Sequence, residues 1–177
     1  EHFLTIELAA QLKTNLCALD LSNQFVPAGV GNKEIYVTDS LVRGDRICWL
    51  DPENHFAYEQ EFFKLMDRFV SYLNRTCYAG IKSYEFHYAL YEEGSFYKRH
   101  RDQFKNDSHR KFSLINYLNE NWLEEDGGQL LVYQDETVQK ILPHSQTAVF
   151  FKSDEMEHEV TKVHRSRMSI TGWLKCM

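Results

Sequence analysis

No stretch of this chain is apolar for long enough to cross a bilayer, which excludes a helical membrane span. No signal-peptide pattern heads it either, so no membrane partner is expected and a cytoplasmic location is. Cysteine is sparse and badly spaced for metal binding. Cys17, Cys48, Cys77 and Cys176 contain no Cys-x-x-Cys pair, which argues against a zinc knuckle or disulfide framework and for reduced, mostly buried thiols. Positive charge is in deficit, with 20 Lys and Arg against 26 Asp and Glu and a net charge of −6. Nucleic acid is therefore not an expected partner, because phosphate binding needs clustered cations. Repeats, low-complexity segments and linkers are absent as well, so residues 1–177 are expected to form one domain. A chain of this length can bury roughly two-thirds of its unfolded surface. Aromatic residues are generous at 14%, which suits a β-rich core.

The apolar spacing predicts a helix over Thr5 to Leu21, with Leu8, Leu12, Leu16 and Leu19 on one side. From Gln24 to Asp51 the pattern is extended and loop-rich. Val26-Pro27 and Gly29-Val30-Gly31 act as breakers, and short strands are predicted at Glu34–Val37 and Arg46–Leu50. The Arg43-Gly44-Asp45 triplet is read as the turn before the second strand, not as an adhesion motif. A second helix is predicted over about His55 to Arg75, its stripe formed by Phe62, Phe63, Met66, Phe69, Val70 and Leu73 and packed on a sheet. After Gly80 come strands at Tyr84–Tyr91, Phe96–Asp102, Lys111–Asn119, Gln129–Gln134, Val138–Leu142, Thr147–Phe151, His158–Val163 and Arg167–Lys175. The implied architecture is mainly β with flanking helices. It is a double-stranded β-helix (jelly roll, cupin-like) core over about 81–177, supported by helices and loops over about 1–80.

His100-Arg101-Asp102 carries the chemistry. Side chains at i and i+2 share one face of a strand, so His100 and Asp102 point the same way. His158 adds a second imidazole. Two histidines and one carboxylate on one face of an ion make the facial triad of non-heme iron oxygenases, which leaves positions open for a cosubstrate and O2. Arg167 follows nine residues later, flanked by apolar Met168, Ile170 and Trp173, and its planar fork matches a carboxylate. A hairpin turning near His164-Arg165 would return Arg167 to the metal, and Arg165 itself is assigned to the solvated turn. Plainer roles remain open for these residues taken alone. His100 and Asp102 could be surface residues of a strand end, and Arg167 could pair with a carboxylate internal to the fold. The same ligands could hold zinc for hydrolysis or serve a non-catalytic metal-binding jelly-roll module.

Further stretches then carry a resemblance. They are Phe96 to Asp102, Ile115-Asn116-Tyr117-Leu118-Asn119-Glu120-Asn121-Trp122, Gly127-Gly128-Gln129-Leu130, Val149 to Asp154, His158-Glu159-Val160, and Arg167 to Trp173. In that order they resemble prolyl 4-hydroxylase-type Fe(II)/2-oxoglutarate-dependent dioxygenases, and within them hypoxia-inducible-factor prolyl hydroxylases and their bacterial relatives. Val42 to Leu50 is similar to the mobile substrate-covering loop and following strand of that branch. The resemblance implies Fe(II) ligation by His100, Asp102 and His158, and binding of the distal carboxylate of 2-oxoglutarate by Arg167 and Tyr117. It implies a pocket role for Tyr91, with Thr171 and Trp173 lining the cosubstrate end and the barrel. The implied reaction is hydroxylation of a prolyl residue at C4 in a protein, with release of succinate and CO2 and with ascorbate as a candidate reductant. A translation component is a candidate substrate. The chain departs from the animal enzymes over Gln103 to Arg110, which replaces their Asn-Pro loop at the edge of the substrate groove, so a different peptide preference is expected.

Overall fold

Strands that alternate apolar residues need something to cover each face, and here the two faces are covered differently. The structure is a computed structural model, described over residues 3–29, 41–54, 56–103 and 109–176. Its elements run α1 (Ile6–Leu21), β1 (Val26–Pro27), β2 (Arg46–Trp49), α2 (Ala57–Cys77), β3 (Ser83–Tyr91), β4 (Tyr97–His100) and β5 (Arg110–Tyr117). They continue as β6 (Leu130–Gln134), β7 (Thr137–Ile141), β8 (Ala148–Lys152), β9 (Glu157–Val160) and β10 (Arg167–Lys175). A six-stranded sheet has the order β1-β2-β3-β10-β5-β8, and a four-stranded sheet the order β4-β9-β6-β7. Adjacent strands are antiparallel throughout, as a double-stranded β-helix requires.

The helices lie on the outer face of the larger sheet. Leu8, Leu12 and Leu16 of α1 and Phe62, Phe63, Met66 and Leu73 of α2 join Phe86, Tyr88, Leu90, Leu114, Ile170 and Leu174 in one core cluster. Burial of each such side chain is worth about 1.5–3 kcal/mol. Thr5 caps α1 by accepting a hydrogen bond from the Leu8 amide at 3.1 Å, a contact worth about 1 kcal/mol. A second cluster lies between the sheets, where Ala89, Tyr91, Ile115, Tyr117, Leu130, Val132, Phe151 and Val160 meet.

Four expectations need correction. The thiols are not mostly buried, since Cys17, Cys48 and Cys176 are half-buried and Cys77 is exposed. Val26-Pro27 is not only a breaker but a two-residue edge strand paired with Arg46 and Ile47, and an edge is where proline is tolerated in a sheet. β4 ends at His100, so Asp102 follows the strand and does not belong to it. His158 and Arg167 are not partners in a hairpin either. β9 pairs with β4 and β6, β10 pairs with β3 and β5, and the chain between them crosses from one sheet to the other. The predicted strand at Glu34–Val37, and residues 104–108 of the divergent loop, lie outside the described residues.

Candidate active site

His100 and His158 are direct cross-strand partners on β4 and β9, so pairing alone brings their rings to 4.3 Å between centroids. Each imidazole is oriented by its own backbone. His100 Nδ1 lies 2.7 Å from the Lys98 carbonyl oxygen, and His158 Nδ1 lies 3.2 Å from that of Met156. A carbonyl can only accept, so both Nδ1 atoms carry a proton, and both Nε2 atoms are left as the ring positions through which a metal would be bound. Those two Nε2 atoms stand 3.4 and 3.6 Å from the same Oδ1 of Asp102.

Asp102 is held from the other side. The Ser113 hydroxyl donates to Asp102 Oδ2 at 2.6 Å, and Ser153 Oγ lies 2.9 Å from Ser113 Oγ. With its proton committed to Asp102, Ser113 can only accept from Ser153. The Gln103 amide also bonds the Ser153 carbonyl at 3.1 Å, which pins the turn after β4. Burial alone would raise the Asp102 pKa. The adjacent imidazoles and the Ser113 hydroxyl overcome it and hold the carboxyl well below the usual carboxylate range. Burial pushes the His158 imidazole downward, against the pull of Asp102, and so favours the neutral ligand form. Three ligand atoms, one from each residue, therefore converge within 4.8 Å of one another. A cation at their centre would meet all three.

Arg167 opens β10, and its side chain is almost fully enclosed, at 2% exposure. Its Nε donates to the Gly128 carbonyl at 2.9 Å, and its guanidinium carbon lies 4.9 Å from the ring centres of both Tyr91 and Tyr117. Gly128 has φ of +62°, and a Cβ there would sit 2.9 Å from Arg167 Cδ, so the turn before β6 needs glycine to reach the arginine. No carboxylate pairs with Arg167 among the described residues, and the Tyr117 hydroxyl is buried without a hydrogen-bond partner there. Burial raises the pKa of both tyrosines, and the nearby guanidinium opposes it. A buried cation and a buried hydroxyl left unsatisfied are costly unless an anion arrives to meet them.

The remaining residues divide along β10. Thr171 lies on the inner face with Ser169, their hydroxyls 3.3 Å apart. Trp173 shares that face but sits beside Ser113 in register, six residues from Arg167, or roughly 20 Å along the strand. It stands beside His87, 5.3 Å between ring centres, with Trp49 at 6.3 Å and the Arg110 guanidinium 3.4 Å over its own ring. Trp173 thus lines the barrel at the Asp102 end, away from Arg167. Burial lowers the His87 pKa to about 3, so its ring is neutral. Arg165 is on the crossing turn, reaching Asp126 at 3.0 Å and the face of Trp122. The sequence does not single out Ser113, and Tyr97 and Gly128 are met there only inside the stretches that carry the resemblance. Ser113 was within reach, since it shares the inward strand parity of Ile115 and Tyr117.

The family model described as the 2OG-Fe(II) oxygenase superfamily matches residues 86–175, about half of the chain. A solved Pseudomonas putida prolyl-4-hydroxylase is 33% identical, with a TM-score of 0.89 over 99% of this chain and 90% of that one. The chain belongs to the 2OG-Fe(II) oxygenase superfamily. A Trichoplax adhaerens prolyl hydroxylase, solved with a hypoxia-inducible factor oxygen degradation domain peptide fragment, is 26% identical with a TM-score of 0.87 over 99% and 81% of the chains. A curated hypoxia-inducible factor prolyl hydroxylase of Caenorhabditis elegans is 40% identical over 84 residues, 45% of this chain but only 12% of that protein.

Family membership implies Fe(II), 2-oxoglutarate and O2, and the residues present fit them. Two imidazoles and a carboxylate are the ligand set suited to Fe(II) with positions left open. The Arg167 guanidinium and the Tyr117 hydroxyl, neither with an acid partner among the described residues, are groups that would suit the far carboxylate of a dicarboxylic acid.

Proposed function

We propose that residues 1–177 act as one catalytic unit that hydroxylates a prolyl residue, at C4, in a protein or peptide. His100, Asp102 and His158 hold Fe(II). Arg167 and Tyr117 bind the far carboxylate of 2-oxoglutarate, Tyr91 walls that end, and Thr171 lines the pocket between them. When bound, Fe(II) with 2-oxoglutarate and O2 supplies oxidative hydroxylation, releasing succinate and CO2. The chain's own contribution is orientation: backbone carbonyls fix both imidazoles, and Ser113 fixes the carboxylate. Ascorbate is the proposed reductant, and the setting is proposed as cytoplasmic. Among the described residues, no helix is long and apolar enough to cross a membrane.

The observation that carries this reading is the convergence of two imidazole Nε2 atoms on one carboxylate oxygen, 3.4 and 3.6 Å away. A hydrolytic zinc site would use the same ligands but would leave Arg167 and Tyr117 with nothing to bind. A proline-containing substrate is supported by the bacterial and animal relatives, which are prolyl hydroxylases by name. Within that class we propose a translation component as the target. The test is mass spectrometry of host proteins with and without the enzyme, supplied with Fe(II) and 2-oxoglutarate. The expected result is a prolyl peptide that gains one oxygen in step with succinate release. Succinate release with oxygen gained only on other residues would overturn the prolyl assignment.

A further inference from the structure

His158 is wedged against the Phe151 ring at 4.8 Å and is buried, whereas His100 stands on β4, at the edge of its sheet, with a more exposed side chain. A ligand there needs a second restraint beyond its hydrogen bond to Lys98. Tyr97 supplies one, its ring lying flat on the His100 imidazole at 3.6 Å and 15°. The Arg43 guanidinium lies 4.2 Å over the same tyrosine ring. Arg43 and His100 therefore both rest on Tyr97, and Arg43 Nη1 also donates to its hydroxyl at 3.5 Å.

Arg43 is itself clamped. Its Nε and Nη2 donate to the two carboxylate oxygens of Asp45 at 2.7 and 2.6 Å, and Nη1 donates to the Gly29 carbonyl at 3.1 Å. The segment carrying both residues is fastened to both sheets. Lys98 N donates to Val42 O and Gly44 N to Phe96 O along the free edge of β4, while Arg46 opens β2 in the larger sheet.

We propose that Arg43 is a positioning residue for His100: locked by Asp45, it backs Tyr97 so that the stacked imidazole keeps Nε2 aimed at the metal. The inference rests on the reading of His100, Asp102 and His158 as metal ligands. It gives the Arg43-Gly44-Asp45 turn a task at the site, transmitted through one aromatic ring.

The test uses Co(II) alone as probe, its affinity read by calorimetry and its coordination by visible absorption, beside the urea midpoint of the metal-free protein. Arg43→Met and Tyr97→Leu are each expected to weaken Co(II) binding about tenfold, the size typical of a lost support to a metal ligand. Tyr97→Phe keeps the ring but loses the hydroxyl that accepts from Arg43 Nη1 at 3.5 Å, and should weaken Co(II) binding less than Tyr97→Leu does. The Arg43→Met/Tyr97→Leu double variant should lose no more than either alone, because both break one chain of contacts. Arg43→Lys keeps the charge beside Asp45 without the flat face, and carries the test with a loss of about threefold or more if Arg43→Met does not fold. Affinities within about twofold of wild type for folded Arg43 variants, or losses that add in the double variant, overturn the proposal. A wild-type chain that binds no Co(II) overturns the metal-site reading as well, whereas wild-type binding with unaffected variants overturns only the role of Arg43.

Discussion

On β10, Ile170 and Leu174 turn outward to the helices, while Arg167, Ser169 and Thr171 turn inward to the facing sheet. β3 and β5 split in the same way: Phe86, Tyr88, Leu90 and Leu114 go outward, and His87, Tyr91, Ser113 and Tyr117 inward. The outer face also holds a buried acid, Glu59, but its Oε1 accepts from both Asn15 and Tyr88. The inner face leaves Arg167 without an acid and the Tyr117 hydroxyl and His87 Nδ1 without partners among the described residues. The outer face leaves Glu59 Oε2 and the Asn116 amide without partners too, but among the described residues it buries no cation. The inner face is built to be finished by a ligand. Substitutions on the two faces should therefore separate stability from binding.

The largest stability effect belongs to the outer face. Phe62→Ala empties a fully buried site between α2 and β3 and should cost about 3–5 kcal/mol in urea unfolding, with 2-oxoglutarate affinity of the folded fraction retained. Arg167→Met should do the reverse. Loss of a buried charge partner costs about 2–5 kcal/mol of binding, so 2-oxoglutarate affinity measured by calorimetry should fall about thirtyfold or more. The urea midpoint of the ligand-free protein should hold or rise, because an unpaired buried charge has been removed.

pH sharpens the contrast, since the two faces bury groups of opposite sign. His87 has a folded pKa of about 3, below its unfolded value near 6.5. The unfolded chain then takes up the proton first, and stability present above about pH 6.5 is lost as pH falls towards 3. In His87→Met the urea midpoint should fall less between neutral and mildly acid pH. Burial raises the Glu59 pKa, against the hydrogen bonds of Tyr88 and Asn15. Its contribution runs the other way, present at acid pH and lost as pH rises through the carboxylate range, so Glu59→Gln should flatten that limb. The smallest effect is expected for Ser113→Ala. It removes one hydrogen bond from Asp102 and should lower Co(II) affinity about tenfold with little change in fold.

The periodicity of the chain predicts the faces well and the sheets less well. Arg167–Lys175 matches its predicted bounds, and both helices fall within about two residues of theirs, because their apolar spacing is uninterrupted. Fold class is legible for the same reason. What could not be read is which strand neighbours which. A hairpin from His158 to Arg167 satisfies local spacing, yet the chain crosses between sheets, a choice set by pairing with β3, β5 and β6 far away in sequence. Asp102 shows the same limit: its two-residue offset from His100 places it near the ligand, but a turn braced by Ser113 and Ser153 aims it. The Tyr97 stack and the exile of Trp173 from the Arg167 end also depend on register. His100, Asp102, His158 and Arg167 stand out in the sequence by residue type and spacing, whereas Tyr117 and Tyr91 are picked out there only by the family resemblance.

The most direct measurement is the visible absorption of the protein on anaerobic addition of Fe(II) and then 2-oxoglutarate. A charge-transfer band should appear with 2-oxoglutarate in the wild type, require far more cosubstrate in Arg167→Met, and vanish in Asp102→Ala. No band in the wild type, or an unshifted titration in Arg167→Met, would contradict the assignment of the inner face as a joint iron and 2-oxoglutarate site.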